Sequence, residues 1–231
     1  MGKTFAIADL HGRYDLLVKA IEQIELSSHS GGTVVFTGDY VDRGPHSAQI
    51  IDRLMKGPDD THRWKWVCLQ GNHEDMLLQS IKQPLLAVQW WAPNGGGATL
   101  ISYGAKEGDS IVAALGLIPA DHIAWLRSLP LMHKDKHRVF VHAAVDETIP
   151  LDEQTAQTMQ WMLYPNGYQG GHGKYHVVHG HHQFADGPML YEGRTDIDTF
   201  AWKTGRLVVG VFDDERAGGP ASFIEVLGDP A

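Results

Sequence analysis

Asp39 and Asp42 lie three positions apart, with Arg43 beside the second, just after an apolar run at residues 33–37. The run is rich in β-branched and aromatic side chains, which is typical of a buried parallel strand. Glycines at both ends of the segment 38–44 permit a sharp turn or a close approach to a ligand. The segment is therefore a candidate site, and the alternative is a turn in which a carboxylate caps the next helix while Arg43 pairs with another.

Four other strand-like runs are also followed by side chains that could bind a cation. These side chains are Asp9 and His11, then Asn72, His73 and Glu74, then His142, and finally His179 and His181. Because ligands in α/β sheets bind beyond the carboxyl ends of the strands, we expect the five groups to converge. A single histidine after a strand is more often an ordinary core or surface residue, but five such strand ends favour one shared site.

The expected ligands are oxygen and imidazole groups without thiolates, which suits manganese, iron or zinc. Asp39 is the natural bridging carboxylate because it follows a central strand and can offer one oxygen to each of two ions. Two ions about 3.5 to 4 Å apart polarise a phosphoryl oxygen and lower the pKa of a bound water from about 15.7 towards about 7. The pattern predicts a centre with two divalent metal ions, with Mn²⁺ as the first candidate and Fe or Zn as alternatives.

Apolar periodicity predicts the elements that position these residues. Strands are predicted at residues 3–8, 33–37, 65–69, 138–141 and 175–178. Helical spacing of apolar side chains predicts helices at residues 14–24 and 47–55 and a further helix around residues 76–81. This alternation of strands and helices is typical of an α/β protein with a parallel sheet covered by helices.

The remaining segments predict an insertion and further strands. Helix-like pieces and prolines between about residues 79 and 131 indicate a helical insertion within the same domain. Apolar runs at residues 189–191, 207–212 and 222–227 predict antiparallel strands that form a second sheet packed on the first. The glycine run at residues 95–97 is either a phosphate-cradling loop or a flexible turn before a helix, and the missing Gly-Lys-Ser/Thr signature favours the turn.

Composition favours a single globular domain over residues 1–231. The chain is 43% hydrophobic and 20% charged, and no Pro/Gly/Ser-rich linker divides it. Its formal charge of −9 argues against a nucleic-acid partner. The single cysteine, Cys68, excludes an internal disulfide and is expected in the core. With neither a signal-peptide pattern nor 18 consecutive apolar residues, we expect a cytoplasmic protein without a membrane partner.

Five ordered motifs resemble those of the calcineurin-like metallophosphoesterases. They are DLHG at residues 9–12, GDYVDRG at 38–44, GNHE at 71–74, HA at 142–143 and GH at 180–181. More narrowly, they are similar to the phosphoprotein phosphatase branch, whose small members include the lambda-phage type phosphatase and the diadenosine tetraphosphatases. Residues 193–199 and 205–207 resemble the C-terminal part of that group. The resemblance covers nearly the whole chain and implies a sandwich of two mixed β-sheets flanked by helices.

The resemblance also implies a role for each motif residue. The implied metal ligands are Asp9 and His11 for the first ion, Asp39 as the bridge, and Asn72, His142 and His181 for the second. His73 would be the general acid that protonates the leaving oxygen, with Asp42 fixing its tautomer. Arg43 would clamp phosphate oxygens, and Asn72 would also face the substrate. A hydroxide bound to the two ions would attack directly, without a phosphoenzyme.

Two departures from the family pattern bear on substrate choice. The residue two positions after His181 is Gln183 rather than the second histidine of many metallophosphoesterases, as expected for the phosphoprotein phosphatase branch, which argues against phosphodiesterases and nucleases. The family's second phosphate-binding arginine, usually found after a tryptophan before the last motif, is missing after Trp161. Arg194, Lys174 or His172 could replace it, and Arg194 is the residue that we assign to substrate binding.

The resemblance leads to three functional hypotheses. The first is a metal-dependent phosphomonoesterase that acts on phosphoserine, phosphothreonine and also phosphotyrosine in proteins. The second is hydrolysis of dinucleoside polyphosphates, because residues 90–91, 94–96 and 102–104 resemble segments of the diadenosine tetraphosphatases. The third, a catalytically silent phosphate-binding protein, is weaker because no expected metal ligand is missing. The expected partner is therefore a phosphorylated protein or a small phosphorylated molecule.

Overall fold

The computed structural model describes residues 2–230, which form ten β-strands and nine α-helices. The strands are β1 (Lys3–Ile7), β2 (Gly32–Phe36), β3 (Trp64–Cys68), β4 (Met132–Lys134), β5 (Arg138–Val141), β6 (His176–His179), β7 (Met189–Leu190), β8 (Arg194–Asp196), β9 (Arg206–Asp213) and β10 (Ser222–Leu227). The helices are α1 (Tyr14–Ser27), α2 (Ser47–Lys56), α3 (Asn72–Lys82), α4 (Pro84–Trp91), α5 (Gly96–Ser102), α6 (Ile111–Ala114), α7 (Ala120–Ser128), α8 (Ala156–Trp161) and α9 (Ala201–Thr204). The strands and helices predicted before residue 80 all occur, with ends displaced by at most a few residues.

The strands form two five-stranded mixed sheets, which confirms the predicted α/β sandwich. The first sheet has the order β10-β9-β1-β2-β3, and the second has the order β4-β5-β6-β8-β7. In the first sheet β1, β2 and β3 are parallel, while β9 runs antiparallel to β1 and to β10. In the second sheet β5, β6 and β8 are parallel, and the edge strands β4 and β7 are antiparallel to their neighbours.

The predicted placement in the second sheet is confirmed for β7 and was wrong for β9 and β10. Strands β9 and β10 extend the first sheet through the pairing of β9 with β1, and the second sheet is instead built around β5 and β6. The short strands β4 and β8 were not predicted. Apolar periodicity indicates that a run is a strand, but its neighbour depends on contacts between parts of the chain that are about 200 residues apart, which the local pattern does not encode.

Alternating side chains on the strands divide the core into layers. Phe5 and Ile7 of β1 face outward and pack with apolar residues of α1 and α2. Ala6, on the opposite face of β1, packs in the layer between the two sheets, where the rings of Phe140 and Phe212 meet edge to face at 5.8 Å. Cys68 packs at the border of the outer layer, and burial raises the pKa of its thiol to about 12.

The predicted helical insertion (about residues 79–131) contains helices α4 to α7, and α3 continues into it as far as Lys82. These helices have an apolar core of their own, built around Trp91, Leu100 and Leu126. Val41 and Leu77 belong to the same core, so the insertion packs against the segments that follow β2 and β3. Among residues 2–230, none of the helices combines the length and the apolar character needed to cross a membrane.

Candidate metal centre

Side chains from five strand ends meet around Asp39. The Nε2 atoms of His11 and His142 lie 3.3 and 3.5 Å from the two carboxylate oxygens of Asp39. His142 Nε2 is also 2.8 Å from the side-chain oxygen of Asn72. The predicted convergence of the strand ends is therefore present, although these residues span more than 130 positions of the sequence.

The two remaining predicted ligands complete the same cluster. The backbone N–H of His181 donates to Oδ2 of Asp9 at 3.1 Å, and the ring centroids of His181 and His142 are 5.0 Å apart. Asp9 and Asp39 are both 2% exposed. All six residues that the motifs assign to metal binding are thus brought together by the fold.

The potential ligand atoms fall into two groups that share Asp39. One group combines Asp39 with His11 and His73, and the other combines it with Asp9 and His142, with the atoms of each group within 4.8 Å of one another. A shared carboxylate agrees with the bridging role expected for Asp39. The grouping differs from expectation in one respect. Asp9 was expected to share an ion with His11, but the residue that groups with His11 is His73, the expected general acid.

The chemistry of the cluster fits a pair of divalent cations. Oδ1 of Asp9 is buried without a hydrogen-bond partner among the described residues. Burial raises the pKa of Asp39 to about 7 and also raises that of Asp9, while it lowers the pKa values of His11 and His142. Buried carboxylates with too few positive partners are costly unless they are paired or coordinate a metal. Cations would supply the missing positive charge and would be coordinated by the free oxygen of Asp9.

Glycines allow the backbone to approach these ligands closely. A Cβ on Gly71 would overlap Oδ1 of Asp39, and a Cβ on Gly180 would overlap Oδ2 of Asp9. Gly38 has φ of 109° and packs against the backbone of Gly71. Each of these glycines belongs to one of the five sequence motifs, and the absent Cβ explains why glycine is required there.

Backbone strain is concentrated in the same place. Seven non-glycine residues among the described ones have a positive φ, and six of them are predicted site residues: Asp9, His11, Asp39, Asp42, Arg43 and His181. Left-handed conformations are uncommon for such residues and persist only where the surrounding structure imposes them. This distribution marks the strand ends as the functional region.

His73 and Asp42 form a buried pair beside the cluster. Asp42 Oδ2 accepts a hydrogen bond from Nδ1 of His73 at 2.6 Å, and Nε2 of the same ring faces Asp39 at 3.8 Å. Because the carboxylate accepts at Nδ1, we assign the second ring nitrogen, Nε2, as the atom that faces the reaction centre. Burial raises the pKa of Asp42 to about 7 and lowers that of His73 to about 4.

Arg43 lies at the mouth of the cluster. Its guanidinium contacts Nε2 of His11 at 3.0 Å and Nε2 of His73 at 3.1 Å, and its Cζ lies 5.3 Å from the ring centroid of Trp202. Cavities of about 390 and 500 Å³ both have Arg43 and Trp202 in their walls. A planar cation in this position can hold two oxygens of a phosphoryl group.

Arg194 lies elsewhere, in contrast to the expectation from the sequence. It is 2% exposed, and its guanidinium donates to Nε2 of His179 at 2.9 Å and to the carbonyl oxygen of Tyr168 at 3.2 Å. Its Cζ also stacks 3.5 Å from the ring centroid of Tyr191. The side chain is buried and engaged in the second sheet, so it does not replace the missing phosphate-binding arginine in this structure.

Glu74 has a structural part in the site that was not assigned from the sequence. It lies in the first turn of α3 and is fully buried. Its carboxylate accepts backbone N–H bonds from Gly71, Asp39 and Tyr40 at 2.8 to 2.9 Å. The signal was available, because a glutamate at the third position of a helix is the capping-box position.

Asp198 is a second residue whose position was not foreseen. Its Oδ1 accepts a hydrogen bond from the backbone N–H of Phe200 at 2.7 Å, whereas its Oδ2 is buried without a partner among the described residues. Its negative charge contributes to the raised pKa of Asp9. The sequence signal was the charged run at residues 194–198, which resembles the family but has no metal-ligand spacing.

Comparisons with known proteins agree with this geometry. The model of the family "Calcineurin-like phosphoesterase" matches residues 2–212. The symmetrical bis(5'-nucleosyl)-tetraphosphatase of Klebsiella pneumoniae (strain 342) is 33% identical over 155 residues, which are 67% of this chain and 46% of that protein. The protein of the same name from Cronobacter sakazakii is 33% identical over 170 residues, which are 71% of this chain and 52% of that protein. The chain spans about half the length of these curated relatives.

Solved structures share the fold at lower identity. One is described provisionally as a diadenosine tetraphosphatase; it has a TM-score of 0.67 and 22% identity and aligns over 98% of this chain and 94% of its own. A cold-active protein-tyrosine phosphatase of a psychrophilic Shewanella species has a TM-score of 0.60 and 18% identity. The match covers 90% of this chain and 75% of that one. With the family match over residues 2–212 and the five strand-end motifs gathered around Asp39, the chain belongs to the calcineurin-like phosphoesterase family.

Proposed function

We propose that this chain is a metal-dependent phosphatase that hydrolyses phosphate monoesters at the strand-end centre. The observation that carries the proposal is that Asp39 belongs to both groups of potential ligands, while His73 and Arg43 face the same point. Two divalent ions bound there would polarise a phosphoryl oxygen and supply hydroxide near neutral pH. Mn²⁺ is our first candidate, and Fe or Zn would also suit these oxygen and imidazole donors.

The protein's own residues divide the remaining work. We assign ion binding to Asp9, His11, Asp39, Asn72, His142 and His181. In its doubly protonated form, with a phosphoryl group taking the Arg43 guanidinium away from Nε2, His73 donates the Nε2 proton to the leaving oxygen as the P–O bond breaks and keeps its Nδ1–H on Asp42. Arg43 holds two phosphoryl oxygens, and its fork geometry orients the phosphorus for attack on the side opposite the leaving oxygen.

Phosphoserine and phosphothreonine in proteins, together with phosphotyrosine, are the first substrate class that we propose. The cavities on either side of Arg43 support this choice because a peptide needs room on both sides of the phosphoryl group. The serine and threonine esters have poor alkoxide leaving groups and the tyrosine ester a phenoxide, and both leave more readily with the proton that His73 is placed to give.

Dinucleoside polyphosphates are the second candidate class. The relatives that are 33% identical are named symmetrical bis(5'-nucleosyl)-tetraphosphatases. In this chain the ring of Trp202 lies beside Arg43 and forms part of both cavity walls. An aromatic ring next to a phosphate-binding arginine offers a stacking surface for a nucleobase.

The two classes are separated by measuring turnover of a phosphoserine peptide and of diadenosine tetraphosphate with added Mn²⁺. We expect phosphate release from the peptide at the higher kcat/KM. Faster cleavage of diadenosine tetraphosphate would favour the second class. A third outcome is tight phosphate binding without turnover of either substrate, in protein that holds two metal ions by elemental analysis. It would contradict both substrate classes and support a catalytically silent phosphate-binding protein.

Replacement of Trp202 by alanine tests the stacking surface. If a nucleobase stacks there, KM for diadenosine tetraphosphate should rise about 5-fold or more, since base stacking on an aromatic side chain contributes about 1–3 kcal/mol. KM for the phosphoserine peptide should stay within about 2-fold. Trp90→Ala is the matched control, because Trp90 is 48% exposed and stacks on Trp161 instead. Equal KM changes for both substrates would reject a base-specific role.

A further inference from the structure

Two side chains of the helical insertion hold the carboxylate of Asp42. Trp91 donates its Nε1–H to Oδ2 of Asp42 at 2.9 Å, with Oδ1 at 3.0 Å. The Thr99 hydroxyl donates to Oδ1 of Asp42 at 2.7 Å, and its oxygen accepts the backbone N–H of Asp42 at 2.8 Å. Trp91, Thr99 and Asp42 are all 0% exposed.

These contacts leave the Asp42 carboxylate no freedom to rotate. Oδ2 is shared between His73 and Trp91, and Oδ1 between Thr99 and Trp91. The hydroxyl of Thr99 is itself held, because it lies 3.2 Å from the hydroxyl of Ser47. A buried network in which every polar group is satisfied has one geometry, so the ring plane of His73 is set from the insertion.

The glycine run of the insertion makes this arrangement possible. A Cβ on Gly96 would overlap the indole ring of Trp91, and the carbonyl oxygen of Gly95 accepts the backbone N–H of Arg43 at 3.2 Å. Gly95 has φ of 104°. Gly95 is thus the turn before α5, as favoured from the sequence, while Gly96 and Gly97 already belong to the helix, and Gly95 and Gly96 pack against Arg43 and Trp91.

We propose that Trp91 and Thr99 are positioning residues for proton transfer, acting on His73 through Asp42. The inference rests on the proposed function, because it assumes that His73 protonates the leaving oxygen. The helical insertion would then contribute to catalysis through Trp91 and Thr99. Their effect is indirect, because their hydrogen bonds go to Asp42 and not to a predicted metal ligand. Without these hydrogen bonds the Asp42 carboxylate can turn, and Nε2 of His73 loses its fixed direction towards the substrate.

The dependence of rate on the leaving group is the readout that tests this role. Phenyl phosphate has a poor leaving group that needs protonation, whereas 2,4-dinitrophenyl phosphate releases 2,4-dinitrophenolate, a stable anion that leaves without a proton. Thr99→Val removes one hydrogen-bonding group with little change in shape, and Trp91→Phe removes another but also loses part of a buried ring system. For both variants we expect kcat on phenyl phosphate to fall about 10- to 100-fold, with kcat on 2,4-dinitrophenyl phosphate within about 3-fold of wild type.

Controls distinguish positioning from damage to the fold. Thr99→Ser keeps the hydroxyl and should restore the rate on phenyl phosphate. Thr195→Val removes another buried hydroxyl, which contacts His176, and should leave the ratio of the two rates unchanged. Metal content by elemental analysis should be equal in all variants. A proportional loss on both substrates in Thr99→Val and Trp91→Phe would overturn the inference.

His73→Asn separates failure of the inference from failure of the proposed function. If His73 is the acid, this variant should lose about 10²- to 10⁴-fold on phenyl phosphate and far less on 2,4-dinitrophenyl phosphate. Selective loss in His73→Asn but not in Thr99→Val would reject only the positioning role. Equal loss on both substrates in His73→Asn would reject the general acid, and with it the inference.

A second measurement needs no turnover. In the metal-free protein the Nδ1–H proton of His73, hydrogen-bonded to Asp42, should give a downfield proton resonance that is absent from His73→Asn. We expect Thr99→Val to shift or broaden this resonance and Thr99→Ser to restore it. An unchanged resonance in folded Thr99→Val would overturn the inference even if the variant were too unstable for kinetics.

Discussion

Glu74 determines the conformation of the segment that carries Asp39. Its two carboxylate oxygens accept four backbone N–H groups, from residues 39, 40, 41 and 71. Asp39 stands at φ of 56°, a conformation that is unfavourable unless neighbouring groups impose it. Glu74 therefore stabilises the strained turn without facing the substrate, although burial raises the pKa of its carboxyl to about 7.

Replacement of Glu74 by glutamine should destabilise the protein. The amide would turn one N–H group towards backbone donors, so at least one buried donor would lose its partner at a cost of about 2 kcal/mol. We expect a lower urea midpoint and fewer than two metal ions per chain after dialysis. Glu22→Gln is the control, because Glu22 is exposed on α1. A Glu74→Gln protein with wild-type stability and metal content would show that the carboxylate is dispensable.

At the scale of the elements, the site depends on where strands end. The parallel strands β1, β2 and β3 deliver Asp9, Asp39 and Asn72 to one edge of the first sheet, and β5 and β6 deliver His142 and His181 from the second. The two sheets can bring these ends together only if the connecting turns carry no Cβ at the points of closest approach. The Gly180 position, against Asp9, is the tightest of these points.

Gly180→Ala should displace Asp9 and weaken the first metal site. The added Cβ would overlap Oδ2 of Asp9 and also press on Ala8, so the turn after β6 must shift. We expect loss of at least one metal ion by elemental analysis and a large fall in turnover. Gly97→Ala is the matched control, since a Cβ there meets no atom within 4 Å. Two retained ions in Gly180→Ala would contradict the account of the close approach.

For the molecule as a whole, stability depends on groups buried between strands as well as on the metal centre. His176 of β6 lies opposite Arg138 of β5 and hydrogen-bonds to the hydroxyl of Thr195 at 2.8 Å. Burial, together with the charge of Arg138, lowers the pKa of His176 to about 4. The His176 ring therefore binds less proton in the folded protein than in the unfolded chain between about pH 4 and pH 6.5.

This shift predicts that His176 lowers stability in acid. Above about pH 6.5 its titration does not change the free energy of unfolding, because the ring is neutral in both states. As the pH falls towards 4, protonation of the ring in the unfolded chain lowers that free energy increasingly. His176→Gln should keep the hydrogen bond to Thr195 and lose less stability between pH 7 and pH 4.5. The measurement is the free energy of unfolding of both proteins in urea with EDTA at each pH. The contributions of all other titrating groups cancel when the two proteins are compared. Parallel changes in the two proteins would reject the effect.

The sequence by itself determined the local features of this protein. Apolar periodicity located β1, β2, β3, β5 and β6, because side-chain alternation and β-branching act within a few residues. Residue types at the strand ends predicted a shared site, and the resemblance to the family then implied the six ligands and the roles of His73, Asp42 and Arg43. The strand predictions are confirmed because alternation and β-branching are local to each strand, whereas the roles of the strand-end residues stay predictions.

Only the tertiary structure decided which distant groups meet. Three features join residues that are far apart in sequence or lie on different elements. They are the pairing of β9 with β1, the packing of Arg194 on Tyr191, and the hydrogen bonds from Trp91 and Thr99 to Asp42. No local period specifies such partners, since they result from how sheets and helices pack around one core. The chemistry of the site is therefore readable in the motifs, whereas its precise alignment depends on the packing of the whole chain.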